Sequence, residues 1–122
     1  MVTILVADDN PVSRELLCEV LEEDEIRVIE AGDGQEALHQ IQAEQPDLVL
    51  LDIQMPVLDG YQVLEEIRKL NLSAPMQVIA LTAFAMEGDR QRVLDAGFDG
   101  YVSKPIDVIG FRKQLASLLR KT

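Results

Sequence analysis

Five short β-branched runs alternate with five longer segments of helical spacing along this chain, and that alternation restricts the possible folds more than any other feature. The runs are Val2–Ala7, Ile26–Glu30, Asp47–Leu51, Gln77–Leu81 and Gly100–Ser103. Strands that alternate with helices pair in parallel, because each helix carries the chain back across the sheet, and helices then cover both faces. Leu48-Val49-Leu50-Leu51 has no polar break, as expected of a strand buried on both sides. The pattern predicts an α/β domain built on a doubly wound five-stranded parallel sheet.

The helical segments carry their own start and stop signals. The first opens with Asn10 as N-cap and Pro11 at the first helical position, followed by a stripe of Leu16, Leu17, Val20 and Leu21. The second, Gln35–Glu44, places Ala37, Leu38 and Ile41 on one face. The third follows Asp59-Gly60 with Val63, Leu64 and Ile67, and the fifth follows Asp107 with Phe111, Leu115, Leu118 and Leu119. The fourth, about Glu87–Ala96 with Gly97 as its stop, is weakly amphipathic, with only Val93 and Leu94 strongly apolar. No linker, repeat or low-complexity stretch interrupts the series, so one domain over residues 1–122 is expected.

A chain of 122 residues can bury an ordinary core without disulfides or metal staples. Its formal net charge of -11 argues against direct binding to DNA, since phosphates repel such a surface and Arg112-Lys113 with Arg120-Lys121 make only a thin basic patch. Those cations suit the dipole of a last helix better. The single cysteine, Cys18, has no partner for an intramolecular disulfide, which fits a reducing compartment. "MVTILVADD" lacks a basic n-region and meets acid after five apolar residues, so it is no signal peptide; no stretch approaches the ~18 apolar residues of a membrane span. A cytoplasmic location without membrane insertion is expected, and Met1 with the clean end after the fifth helix favours a stand-alone protein.

In sheets of this kind, sites lie beyond the carboxyl ends of the strands, near the point where strand order reverses. Asp8 and Asp9 follow strand one, Asp52 follows strand three, Thr82 follows strand four, and Lys104-Pro105 follows strand five. If the order is 2-1-3-4-5, these residues share one rim. Three carboxylates that close repel, and one lysine does not offset them, so either a pKa rises or a hard divalent cation sits among them. With neither His nor Cys nearby, Mg²⁺ or Mn²⁺ is favoured over zinc. A carboxylate nucleophile, a metal, an ammonium and a hydroxyl are the parts needed to attack phosphorus.

The acidic pair in "LVADDNPVSR", Asp52 in "LLDIQMPVLDG", Thr82 in "VIALTAFA" and Lys104 in "GYVSKP" together resemble the receiver domain of two-component response regulators over essentially the whole chain. "LTAFAMEGD" with "YVSKPI" is similar to single-domain cell-cycle regulators and to receivers attached to hybrid kinases. The resemblance implies a flavodoxin-like (βα)5 fold of order 2-1-3-4-5. It implies that Asp52 accepts a phosphoryl group from a sensor histidine kinase or a histidine phosphotransfer protein. It further implies Mg²⁺ (or Mn²⁺) on Asp9, Asp52 and the backbone carbonyl of Gln54, with Asp8 helping through water. Thr82 and Lys104 would hold the phosphoryl oxygens, and Tyr101 would be the aromatic whose rotation reports phosphorylation. Such a domain assists its own phosphorylation and dephosphorylation without being a conventional enzyme, and signals to a downstream protein target.

Taken singly, each residue has an ordinary reading: Asp9 as a helix cap, Thr82 as a strand-end residue, Tyr101 as a half-buried sheet aromatic, Lys104 as surface charge. Their joint occurrence in the right order outweighs those readings. Gly32-Asp33-Gly34-Gln35-Glu36-Ala37 matches G-x-G-x-x-A, but Asp33 would face a pyrophosphate and the motif follows strand two, off the switch point. An aspartyl phosphohydrolase would show D-x-D after strand one, where Asp8-Asp9-Asn10 stands. A receiver that has lost phosphate acceptance would lack an acid, the Thr or the Lys; none is missing. Cys18 is expected to be structural or partly exposed and not reactive, His39 exposed, and Lys104-Pro105 a candidate cis peptide. The first turn of helix one, Pro11 to Arg14, is the expected face for the phosphodonor. Helix four, strand five and helix five, including Phe84 to Asp89, Tyr101 and the exposed side of Phe111–Lys121, form the expected output surface.

Overall fold

Asn10, Asp33 and Asp59 each start a helix in the computed structural model, which describes residues 2–23, 25–70, 76–82, 87–104 and 106–120. Asn10 Oδ1 accepts from the amides of Val12 at 2.9 Å and Ser13 at 3.2 Å, with Pro11 in the first turn of α1 (Pro11–Val20). Asp33 accepts from the Glu36 amide at 2.8 Å and opens α2 (Gly34–Glu44). Asp59 and Gln62 form a reciprocal capping box that opens α3 (Gly60–Lys69), each bond 2.9 Å. Helices α4 (Glu87–Ala96) and α5 (Val108–Arg120) complete the set.

The strands are β1 (Val2–Ala7), β2 (Ile26–Ala31), β3 (Leu48–Asp52), β4 (Gln77–Thr82) and β5 (Gly100–Ser103). They pair in parallel in the order β2-β1-β3-β4-β5, the doubly wound arrangement expected. Central β3 is buried at every residue, which accounts for its unbroken apolar run. Alternate side chains feed two cores, one on each face. Val49 and Leu51 join Ala37, Ile41, Val63, Leu64, Ile67 and Val93 beneath α2, α3 and α4. Leu48 and Leu50 join Leu17, Val20, Leu21, Phe111 and Leu115 beneath α1 and α5.

Two expected core positions lie at the surface. Leu16 is 38% exposed, because a helix that buries Leu17, Val20 and Leu21 turns position 16 outward; Leu94 on α4 is 44% exposed. The glycine before Gln35 also belongs to α2, where a Cβ would run into the backbone of Leu58, so the start of α2 packs on the loop after β3. Pro105, Phe84 to Met86, and Lys121 lie outside the described residues.

At the amino ends of the strands, two aspartates stitch the sheet together. Asp47 Oδ2 accepts from the Thr3 amide at 2.9 Å, while the Asp47 amide donates to the Thr3 carbonyl at 2.8 Å. Asp99 does the same with Val78, at 2.8 Å in both directions. The Gln77 side-chain amide donates to the Leu118 carbonyl at 3.1 Å, so the far end of α5 is tied to that same rim.

Candidate functional site

Register brings the sequence-predicted residues to one rim. Ala7 pairs with Leu51, Asp52 with Leu81, and Thr82 with Ser103, so Asp8, Asp52, Thr82 and Lys104 fall within a step of one another across four strands. Asp52 is the last residue of β3 and not the first of the loop, held by β4 through the Ile53 amide, which donates to the Leu81 carbonyl at 3.1 Å. Asp9, Asn10, Ser13, Asp52, Ile53, Gln54, Thr82 and Lys104 line a cavity of about 380 Å³.

Each acid is aimed by its backbone. Asp8 is fully buried; its amide donates to the Ala31 carbonyl at 3.1 Å, and its Oδ1 accepts from the Asn10 amide at 2.9 Å. Asp52 Oδ1 accepts from the Gln54 amide at 3.0 Å. Asp9 is exposed and opens to the cavity. Lys104 Nζ donates to Asp52 Oδ2 at 2.9 Å and stands 2.8 Å from Asp8 Oδ2. The one ammonium is thus shared between the buried carboxylates of Asp8 and Asp52. Thr82 is buried in the wall of the same cavity.

The electrostatics follow from burial. Removal from water pushes the Asp52 carboxyl up to about 6, against the hydrogen bonds from Lys104 and the Gln54 amide, which favour its anion. Burial also opposes the Lys104 charge, but Asp8 and Asp52 outweigh it and raise its pKa. One ammonium thus stands beside Asp8 and Asp52, and one carboxylate oxygen from each of Asp8, Asp9 and Asp52 lies within 4.8 Å of the others. An octahedral ion with bonds of about 2.1 Å separates its ligands by up to about 4.2 Å. The trio therefore fits a hard divalent cation after a small contraction, and with one ammonium beside the clustered carboxylates the group remains net negative.

The loop after Asp52 is shaped as tightly as the strand before it. The Gly60 amide donates to the Ile53 carbonyl at 2.9 Å, and a Cβ on Gly60 would lie 2.7 Å from Ile53 Cα and 2.8 Å from the Asp52 carbonyl oxygen. Only glycine lets α3 start that close to the end of β3. Val57 holds φ 70, and the Leu58 amide donates across it to the Pro56 carbonyl at 2.8 Å, a γ-turn of the rare strained form.

Tyr101 sits half-buried on β5 under Arg90, whose guanidinium carbon is 5.1 Å from the ring centroid. Arg92 covers Tyr61 of α3 at the same distance, and Tyr61 meets Phe98 edge-on at 5.9 Å between centroids. A second cavity, of about 450 Å³, opens between α4, β5 and α5, with Arg90, Leu94, Tyr101, Phe111 and Gln114 in its walls. Ser13, within the first turn of α1 expected beside the pocket, lines the acidic cavity; sequence reasoning missed both arginines of α4, since polar spacing on a helix carries no signal for which ring a guanidinium will cover. Cys18 is half-buried, and burial with help from Glu30 pushes its thiol up to about 11, consistent with an unreactive structural cysteine. His39 is exposed, as expected.

Residues 4–116 match the response regulator receiver domain family. The polar-differentiation response regulator DivK of Brucella anthropi is 34% identical over 117 residues, covering 96% of this chain and 95% of DivK. The sensor histidine kinase GacS of Pseudomonas protegens is 38% identical over 121 residues, which span 97% of this chain but 13% of the kinase. Among solved structures, the receiver domain of a sensor histidine kinase of Pseudomonas aeruginosa, with a magnesium ion coordinated in its active-site cleft, superposes with a TM-score of 0.84 at 34% identity, covering 95% of each chain.

Proposed function

Because this chain belongs to the response regulator receiver family, we propose that it is a phosphorylation switch, a single receiver domain over residues 1–122 with Asp52 as its phosphoacceptor. The observation that carries this reading is the position of Asp52: buried at a strand end, its Oδ2 2.9 Å from Lys104, in a cavity shared with Asp9, Gln54 and Thr82. A carboxylate oxygen of Asp52 attacks the phosphorus of a phosphohistidine on a sensor histidine kinase or phosphotransfer protein. The P–N bond breaks, an acyl phosphate forms, and the donor imidazole leaves as the neutral base after taking a proton. Asp8, Asp9, Asp52 and the Gln54 carbonyl would hold Mg²⁺, which supplies charge neutralisation at the phosphoryl oxygens. Lys104 and the Thr82 hydroxyl then bind those oxygens, and water later returns inorganic phosphate.

The signal leaves through helix four, strand five and helix five. As Thr82 moves toward the phosphoryl oxygens, Tyr101 on the neighbouring strand turns inward and the surface around the larger cavity changes for a downstream protein target. A difference of about 1–3 kcal/mol in how the phosphate binds the two states shifts their populations five- to a hundredfold or so. The net charge of -11 speaks against a direct nucleic-acid target, and among the described residues no helix is long and apolar enough to cross a membrane. Cytoplasmic signalling is the setting proposed.

The test is intact-mass analysis after incubation with acetyl phosphate and Mg²⁺. Wild type should gain one phosphoryl group, and Asp52→Asn or EDTA should abolish the gain; equal labelling of Asp52→Asn would overturn the assignment. The pH dependence has a defined sign. A carboxyl raised in the fold binds its proton more tightly there, stabilising the apo protein below about pH 4 and losing that benefit as pH rises through about 6. Protons therefore compete with the metal, and Mg²⁺ affinity measured by calorimetry should fall as pH drops through about 6.

A further inference from the structure

The sequence places Arg14 on the face that a phosphodonor would approach, but the structure turns its side chain inward. Nη1 donates to the Asp8 backbone carbonyl at 2.8 Å, and Nε pairs with Glu30 Oε1 at 3.2 Å, near the end of edge strand β2. Only a quarter of the side chain is exposed, and a Cβ on Gly32 would come within 3.3 Å of Nη1. The Asp8 carbonyl stands where the chain leaves β1: the β1–β2 ladder ends with the Asp8 amide on Ala31, and the following turn carries Asp8, Asp9 and Asn10 into α1. A planar guanidinium is suited to span two acceptors at fixed angles, which an ammonium does less well.

We propose that Arg14 is a positioning residue of the acidic pocket: its bridge between the Asp8 carbonyl and Glu30 fixes the turn that carries Asp8 and Asp9, and so sets the pocket's affinity for a divalent cation. The inference rests on the metal reading given above. Its sign separates it from plain electrostatics. A cation this close to the pocket repels a metal ion, so by charge alone its removal would tighten binding; loss of positioning weakens it.

The experiment is calorimetric Mg²⁺ titration of wild type, Arg14→Ala, Arg14→Lys and Glu30→Gln, each checked for folding by circular dichroism. Arg14→Ala is expected to weaken Mg²⁺ binding about tenfold, at the low end of what outer-shell partners contribute. Arg14→Lys keeps the charge without the fork and should recover only part of that loss, so it carries the test should the alanine variant unfold. Glu30→Gln removes an exposed ion pair but keeps the carbonyl bond, and should cost less than about threefold. With acetyl phosphate, Arg14→Ala should need more Mg²⁺ for half-maximal labelling yet approach the wild-type rate at saturation, a split that general destabilisation would not produce. Arg14→Ala or Arg14→Lys binding Mg²⁺ as tightly as wild type, or more tightly, would overturn the proposal. Wild type that bound no Mg²⁺ would instead refute the metal reading beneath it.

Discussion

Helices α3 and α4 are both ten residues long and pack on the same face of the sheet, yet they are held there by different means. Helix α3 has a reciprocal capping box, Arg68 and Lys69 in its last turn to complement its dipole, and Val63, Leu64 and Ile67 in the core. At about 1.5–3 kcal/mol for each fully buried side chain, that stripe contributes roughly 5–9 kcal/mol as an upper figure. Among the described side chains of α4 only Val93 is buried; its last turn has no basic residue, and Asp95 stands there instead. Among the described side chains, Val93 is supplemented by two arginines over two rings, worth about 0.5–1 kcal/mol each at exposed sites. The helix that fixes the loop after Asp52 is anchored by shape, while the described side chains of the helix beside Tyr101 add mainly contacts that a side-chain rotation can break.

The largest expected effect attacks the anchored side. Gly60→Val would drive a side chain into the backbone of Asp52 and Ile53, which are fixed by β4, and should cost about 4 kcal/mol in urea denaturation. A loss below about 1 kcal/mol would mean that α3 can slide, and the contrast with α4 would collapse. Next comes the matched pair Leu64→Ala and Leu94→Ala. The buried leucine of α3 should cost about 3 kcal/mol and the exposed leucine of α4 less than about 0.5, so equal losses would contradict the packing described. The smallest effect sharpens the comparison. Arg90→Ala should change global stability by no more than about 1 kcal/mol but speed amide exchange in α4 up to about fivefold, since local opening needs no global unfolding. Exchange in α4 that is unchanged would leave the Arg90–Tyr101 contact without a part in holding the helix.

These contrasts also mark what the sequence could disclose. The alternation of runs carried the sheet, its parallel pairing and the sites at its carboxyl rim, because buried parallel strands need apolar residues throughout and their ends must meet solvent. Asp8, Asp9, Asp52, Thr82 and Lys104 were legible for that reason. Strand ends were legible only to within a residue: β3 runs on through Asp52 and β4 through Thr82, since their ladders persist to the site residues themselves. Leu16 was misplaced because it stands at the edge of the stripe formed by Leu17, Val20 and Leu21, where the sequence does not show which flank meets solvent. Arg14 was placed beside the pocket, but its bond to the Asp8 carbonyl had no signal, because that acceptor is set only once β1 has paired with β2. The close approaches of Gly34 to Leu58 and of Gly60 to Ile53 had no signal beyond the glycines themselves.

The aspartates at the opposite rim have a consequence for how such a domain can be combined with others. Asp47 and Asp99 close the amino ends of the strands, and β1 begins there while α5 returns there, with the Leu118 carbonyl tied to Gln77. Both ends of the described fold therefore emerge on the side away from the acidic cavity. Polypeptide appended at either end, or added to the turn ahead of Asp47, departs without crossing the mouth of the acidic cavity. The unit is thus modular by geometry: it can be strung between other domains or carried on a long protein with its chemistry untouched. Fusion of a folded passenger to each end in turn should leave the rate of acetyl phosphate labelling within about twofold of the unfused chain, and a larger loss at either end would place that end nearer the pocket than the fold allows.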